Sequence, residues 1–294
     1  MNDSKTVPAG HAGGSYKACP VCGGTDLRNK FNVKGYTLAE CAACTAVFVR
    51  EILNVDYLAG IYQEQEGNRF YEEDNKDCLN YYNELVKKEV DAAKPGKGKI
   101  LDIGCSSGLF LELMEGWERH GIEVSEEFGA AAKARIGENI FIGTFEQYPA
   151  KANYFDVITL FDVFDHFLDP GENLRRCRGM LKPGGLIVIK VHNISCLFAK
   201  ASGAGFYAMV PPVHLFYFNR ESLRHILEKN GFTFLKAKFI GHLMRLATIF
   251  FRLCKEDKKS FLYRLYEFFS RGPLKDIKIR KNLHDIITVF AVKN

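Results

Sequence analysis

The stretch Ile100-Leu-Asp-Ile-Gly-Cys-Ser-Ser-Gly-Leu-Phe-Leu-Glu-Leu-Met114 constrains the fold of this 294-residue chain more than any other segment. The apolar residues up to Ile103 suit a short buried strand, Gly104 and Gly108 permit a sharp turn, and the residues after it fall at helical spacing. A strand feeding a helix in this way cannot bury both apolar faces alone, so it calls for further strands beside it. The sequence supplies them. Strands are predicted near 120–124, at 140–142, 155–160, 186–191, 232–239 and 285–292, with helices at 126–135, 172–180 and 220–230 and a turn at Lys182-Pro-Gly-Gly185. The expected class is α/β, a doubly wound, seven-stranded sheet with helices on both faces.

A second feature lies upstream. Cys19-Pro-Val-Cys22-Gly-Gly is followed by Cys41-Ala-Ala-Cys44, with 18 residues between Cys22 and Cys41. Each pair can fold into a knuckle that aims two thiolates at one ion, and the spacing is that of a four-cysteine zinc site. Gly23 and Gly24 would supply positive φ after the second cysteine. The residues between the pairs read as two strands turning near Lys34–Gly35, so residues 1–55 are expected to form a zinc ribbon. Four thiolates leave the ion no open position, which makes the metal structural; it would also supply folding energy that so small a module lacks. The chain has nine cysteines, and Cys78, Cys105, Cys177, Cys196 and Cys254 stand singly. An odd, scattered set suits a reducing compartment rather than a disulfide framework. Residues 56–98 read as a helical linker or lid, with Tyr57, Ile61, Tyr62, Cys78, Tyr81, Tyr82, Leu85, Val86 and Val90 at spacings of three and four. Lys94-Pro-Gly-Lys-Gly-Lys99 breaks it from the main domain, 99–294.

The net charge of +5 is unevenly held. Residues 241–284 carry 11 Lys/Arg against 4 Asp/Glu, leaving 29 basic and 31 acidic residues for the rest of the chain. A nucleic-acid binder would spread its charge differently. The same segment, an insertion at 242–283 before the last strand, is rich in apolar residues at helical spacing: Leu243, Leu246, Ile249, Phe250 and Leu253, then Phe261, Leu262, Leu265, Tyr266 and Phe269. Residues 242–270 could therefore lie on an anionic membrane surface or cover a lipid-linked acceptor; equally, they could be a helical pair packed on the domain. No apolar run approaches a bilayer span and the N-terminal residues lack the apolar core of a secretory signal, so the expected location is the cytoplasm.

The glycine turn lacks the G-x-G-x-x-G of dinucleotide dehydrogenases, since Ser106 stands in the middle place. Asp102 precedes the first glycine, and Glu123 lies 21 residues further on, at the tip of the second strand, where a carboxylate can accept both hydroxyls of a ribose. Leu101-Asp-Ile-Gly-Cys-Ser-Ser-Gly108, Gly121-Ile-Glu-Val-Ser125, Phe155-Asp-Val-Ile-Thr-Leu-Phe-Asp-Val-Phe-Asp-His166, Leu181-Lys-Pro-Gly-Gly185 and His214-Leu-Phe-Tyr-Phe218 together resemble the class I S-adenosyl-L-methionine (SAM)-dependent methyltransferases, a Rossmann-like family. The ribbon-plus-methyltransferase layout is similar to enzymes of sugar, surface-polysaccharide and natural-product pathways. Three positions depart from the family pattern: Ser106 replaces a glycine, Asp165 stands where Glu is usual, and Thr144 occupies the place of an adenine-reading Asp.

The resemblance implies a SAM-binding site made by Asp102, Gly104, Cys105 and Gly108 at the methionine end, Glu123 at the ribose, and Phe145 and Phe161 sandwiching the adenine. For proton removal the candidates are histidines, which titrate near working pH. His214, in a loop rich in Pro and aromatics, ranks first as the base and His166 second, while His192 sits just past the fifth strand. The implied activity is methyl transfer to a small-molecule or glycan-type acceptor, with O-methylation ahead of C- or N-methylation. The alternative is an RNA methyltransferase that grips nucleic acid with the ribbon and the basic segment. The confined charge argues against it, as does the absence of an N-P-P-Y-type tetrapeptide after the fourth strand.

Overall fold

The computed structural model describes residues 12–54, 57–58, 69–253 and 259–294. At the N-terminus β1 (Ala12–Ser15) pairs antiparallel with β5 (Glu51–Leu53), and between them run β2 (Leu27–Val33), β3 (Tyr36–Cys41) and β4 (Val47–Val49). β2 and β3 are joined through Lys34 and Gly35, both at positive φ (51° and 84°), the two-residue turn whose twist matches that of its strands. Helix α1 (Arg69–Ala93) leads to the main domain. There follow β6 (Lys99–Ile103), α2 (Leu109–Leu113), β7 (Glu118–Glu123), α3 (Glu126–Ile136), β8 (Ile140–Ile142), β9 (Phe155–Phe161), α4 (Pro170–Met180) and β10 (Leu181–His192). The chain ends with α5 (Leu197–Ser202), β11 (Phe216–Tyr217), α6 (Arg220–Lys229), β12 (Phe232–Lys238), β13 (His242–Arg245), α7 (Leu246–Leu253), α8 (Phe261–Phe269), β14 (Lys278–Lys281) and β15 (Ile286–Lys293).

The main sheet has seven strands in the order β12-β15-β10-β9-β6-β7-β8. β10, β9, β6, β7 and β8 are parallel, and β15 runs antiparallel between β10 and β12. The chain winds outward from β6 to β8 and then returns to β9 on the other side of β6. Neighbouring loops therefore diverge at the carboxyl ends of β6 and β9, which opens the crevice where such sheets bind ligands.

Alternation along each strand sends side chains into two cores. Ile100, Leu186 and Val188 pack with Tyr82, Val86 and Val90 of α1, Phe110 and Leu111 of α2, and Ala132 of α3. Leu101, Ile103, Ile187 and Ile189 face the other way, under Leu174 and Cys177 of α4 and Leu223, Ile226 and Leu227 of α6. The second core continues without a break into the N-terminal module through Leu38, Val47, Phe48 and Val49. Each such large apolar side chain contributes about 1.5–3 kcal/mol on burial, so the module is welded to the main domain. Its sheet is itself composite, in the order β11-β4-β3-β2, with β11 supplied from the far end of the chain.

Two local expectations change. The insertion is not helical from its start: Leu243 lies in β13, which pairs with β14, and the helices begin at Leu246. A four-residue strand whose partner comes more than thirty residues later has too short a period to be told from the start of a helix. The Lys182-Pro-Gly-Gly185 turn is absorbed into β10 as a register shift between Leu181 and Leu186. Ile61, Tyr62 and Cys254 lie outside the described residues. Among the described residues no helix is long and apolar enough to cross a membrane.

Candidate functional site

At the carboxyl end of β6 the backbone turns through three left-handed positions, Gly104 (φ 74°), Ser106 (φ 47°) and Gly108 (φ 80°). A Cβ on Gly104 would meet Val163 at 3.2 Å, and one on Gly108 would meet Ile136 at 3.0 Å, so both places resist a side chain on space as well as on conformation. Ser106 adopts the same region without glycine's freedom, and its N–H donates to Glu123 Oε2 at 2.8 Å. Ser125 donates its N–H to Glu123 Oε1 at 3.0 Å. One buried carboxylate therefore holds the loops after both β6 and β7. Asp102 is buried next to it and accepts a hydrogen bond from the Thr159 hydroxyl at 2.6 Å. Burial, with the charge of Glu123 adding to it against the Thr159 bond, pushes Asp102 up to about 7. Ser107 Oγ is buried there without a hydrogen-bond partner.

The remaining residues expected at this end divide. The Cys105 side chain is buried in the core against β7, where a Cβ on Gly121 would come within 2.6 Å of its sulfur. Phe145 is buried, stacks on Phe167 at 5.9 Å and carries the Arg176 guanidinium 5.2 Å from its ring centre. Phe161 packs into the core on the opposite face of the sheet, edge to Phe110 at 4.8 Å. The fold does not bring these two rings together.

It does bring together the histidines. Asp165 and His166 end a single turn after β9, His192 is the last residue of β10, and His214 arrives from the loop before β11. His214 Nδ1 lies 2.6 Å from Asp165 Oδ2, with His166 Nε2 3.8 Å from the other carboxylate oxygen. The His214 ring centre is 4.7 Å from that of His166 and 5.3 Å from that of His192. Burial would raise Asp165, but the neighbouring His166 and His214 outweigh it and hold the carboxyl at about 2. Burial pulls His166 down to about 4 and lowers His192. It would lower His214 too, yet the bond to Asp165 leaves that ring above its ordinary value. The cluster thus contains one ionised carboxylate and one imidazole more basic than an ordinary histidine, whose Nε2 remains for a ligand. Three polar atoms around it are buried without hydrogen-bond partners: Asp165 Oδ1, His192 Nδ1 and the Tyr217 hydroxyl. Asp165, His166 and His214 also bring one ligand-type atom each within 4.8 Å of one another.

Sequence reasoning noted Asp165 only as a replacement for Glu and passed over Tyr217. A carboxylate directly before His166, and a tyrosine three residues after His214, were the available signals. A cleft of about 600 Å³ opens at the same end of β10, lined by Asn193, Ser195, Cys196, Phe198, Arg220 and His284 and by Thr45 of the N-terminal module.

In that module the sulfurs of Cys19, Cys22, Cys41 and Cys44 lie within 4.8 Å of one another. Cys19 and Cys44 are 3.6 Å apart, and Cys22 and Cys41 3.5 Å. A tetrahedral zinc with bonds of about 2.3 Å needs sulfurs about 3.8 Å apart, so the four fit the ion. Each knuckle closes alike: Gly23 N–H donates to the Cys19 carbonyl and Thr45 N–H to the Cys41 carbonyl, both at 2.8 Å and both from positive φ. Gly24 does not share that conformation; a Cβ there would crowd Cys41 Sγ at 3.2 Å and Cys22 Sγ at 3.3 Å. The Cys44 thiol, with the backbone N–H groups of Cys22 and Val21, pulls Cys19 down, while the same contact and burial push Cys44 up, so the pair shares a proton that a metal would displace on binding both as thiolates.

The profile of a family described as a methyltransferase domain matches residues 71–237. The chain is similar to the ubiquinone biosynthesis O-methyltransferase of Caulobacter sp. (strain K31), 38% identical over 116 residues that cover 36% of this chain and 46% of that protein. It is also similar to the ubiquinone biosynthesis O-methyltransferase of Pseudomonas aeruginosa (strain LESB58), 29% identical over 151 residues, covering 48% and 65%. The chain spans about half the length of the curated relatives it matches. Among solved structures it is similar in fold to a SAM-dependent methyltransferase of Thermotoga maritima (TM-score 0.50, 17% identical, covering 81% of this chain and 98% of that one). The YcgJ protein of Bacillus subtilis matches comparably (TM-score 0.50, 16% identical, covering 73% and 98%).

Proposed function

The chain belongs to the methyltransferase-domain family, and from that premise we propose that it is a SAM-dependent methyltransferase acting on a small-molecule or glycan-type acceptor, by O-methylation. The observation that carries this reading is the Asp165–His214 pair, standing at the carboxyl edge of the sheet beside His192 Nδ1 and the Tyr217 hydroxyl, two buried polar atoms without hydrogen-bond partners. Those atoms suit an acceptor that brings hydroxyl groups.

The turn after β6 fits the cofactor. Asp102 is a buried carboxyl that a cationic ligand end would relieve, Ser107 Oγ wants a partner, and Gly104 and Gly108 keep side chains away from the backbone. Asp102, Gly104, Gly108 and the backbone at Cys105 would hold the methionine end and Glu123 the ribose, with Phe145 beside the adenine; Phe161 would support this site from the opposite core. When bound, SAM supplies a methyl group already activated by its sulfonium. The chain's own task is to align the acceptor and remove its proton. His214 Nδ1 is committed to Asp165, so Nε2 takes the hydroxyl proton. Asp165 stays ionised, orients the ring and stabilises the imidazolium that forms. His166, held near 4, is neutral at pH 7 and the weaker base.

In this reading residues 1–55 are a zinc ribbon, with structural Zn²⁺ on Cys19, Cys22, Cys41 and Cys44. Residues 56–98 form a helical linker and 99–294 the catalytic domain. Cysteines kept as thiolates suit the cytoplasm. Residues 242–270 would touch an anionic membrane surface: α8 has no buried residue, and Phe261 and Phe268 are 71% and 61% exposed.

The test is transfer of labelled methyl from SAM, offered with the small-molecule pool and with total RNA. Label in a small molecule, released as a volatile product by ether cleavage, is the expected result. Label in RNA would favour the alternative instead.

A further inference from the structure

The loop that delivers His214 is strapped to the metal module. Leu215, the next residue, is gripped on both sides: its N–H donates to the Asp165 carbonyl and its own carbonyl accepts from Val49 N–H, each at 2.9 Å. Phe216 and Tyr217 then pair with Phe48 and Val47 of β4. At the far end Asn219 Nδ2 donates to the Thr45 hydroxyl at 2.9 Å and the Thr45 carbonyl at 3.1 Å. Thr45 is the residue after Cys44 and closes the second knuckle. Residues 215–219 are therefore held at both ends by the few residues that run from the last cysteine to the end of β4.

We propose that β4 and its knuckle are a positioning element for the Asp165–His214 pair, so that metal on the four cysteines sets the alignment of the base. A short bond to a buried carboxylate weakens steeply when its angle opens, and His214 has one neighbour, Leu215, tied to both partners. The strands of the module lean on the core they share with the main domain, and a bound metal supplies the order of the knuckles that lead into them. The proposal rests on the reading of His214 as the base, and its test is kept separate from that reading.

Residues along an antiparallel strand point their N–H groups to alternate neighbours. Val49 N–H faces Leu215, whereas Arg50 N–H faces the Thr37 carbonyl of β3. Val49→Pro therefore removes the strap and spares the β3 ladder. Val49→Ala keeps the N–H and removes side-chain packing instead. The readout is NMR of the full-length, zinc-loaded chain with ¹⁵N-labelled imidazoles, His214 being assigned by comparison with His214→Gln. We expect a downfield, slowly exchanging Nδ1 proton in the parent and in Val49→Ala. It should be lost in Val49→Pro and on stripping zinc, and zinc returned to the parent should restore it. Survival of the signal in Val49→Pro or in the stripped protein overturns the proposal. So does its equal loss in Val49→Ala, which would make the effect one of packing. Full methyl-transfer activity in His214→Gln would refute the base while leaving this result standing.

Discussion

The two ends of the crevice are built in opposite ways. The end we propose for the cofactor comes mainly from one stretch, Asp102 to Ser125, in which Glu123 ties both loops together through backbone N–H groups. The end we propose for the acceptor is assembled from β9, β10, the loop before β11 and a strand of the N-terminal module. Their electrostatics also differ. Burial, with the charge of Glu123 adding to it, leaves Asp102 near 7, while Asp165, buried too, is compensated by imidazoles and held near 2. The first arrangement stores a demand for a cationic ligand; the second stores basicity for a proton. A methyltransferase needs both, and here they can be perturbed separately.

Among changes that leave the base itself in place, the largest effect should come from the metal. Stripping zinc is expected to cut turnover by about a hundredfold or more, the range seen when general-base help is lost, while SAM affinity holds. One equivalent of zinc in the parent protein, with calorimetry before and after chelation, checks this; equal losses at both ends would erase the distinction. Next in size, Glu123→Ala should weaken SAM binding by tenfold or more, because a hydrogen bond to a charged group contributes about 1.5–3 kcal/mol. An unchanged affinity by titration calorimetry would mean that Glu123 serves only the loops.

Asp102→Asn sharpens the contrast through stability. Its carboxyl is raised in the folded state, so it is tolerated while protonated and becomes costly as pH rises through about 7. The ligand-free variant should melt a few degrees above the parent at pH 8, with the gap closing towards pH 4, and should bind SAM less tightly. Thermal melts across that range decide it. The smallest effect concerns His166, whose folded pKa of about 4 is below its unfolded value. Its contribution is full above about pH 6.5 and is lost as pH falls towards 4, so His166→Gln should flatten the acid side of the melting curve by about a degree or two.

The same contrast explains what could be read without coordinates. The β6 turn and Glu123 were legible because local strand, glycine and helix signals lie within a few residues of one another. The seven strands were legible for the same reason, as was the cysteine spacing. The Asp165–His214 contact joins residues 49 positions apart, and residue types alone could rank His214 but could not pair it. Phe145 and Phe161 read alike as apolar residues beside strands, yet Phe145, in the turn after β8, joins one core and Phe161, the last residue of β9, packs against the other. β11 was hidden because two residues carry no periodicity and its partner strand lies in another module.

The central claim is that the acceptor end activates while the cofactor end binds. It is tested most directly by measuring turnover and SAM affinity of His214→Ala beside His166→Ala on the acceptor that takes up the label. The account predicts a loss of about 10²–10⁴-fold in rate for His214→Ala, with SAM affinity unchanged and His166→Ala far less affected. Near-normal turnover in His214→Ala, with the loss appearing in His166→Ala, would contradict it.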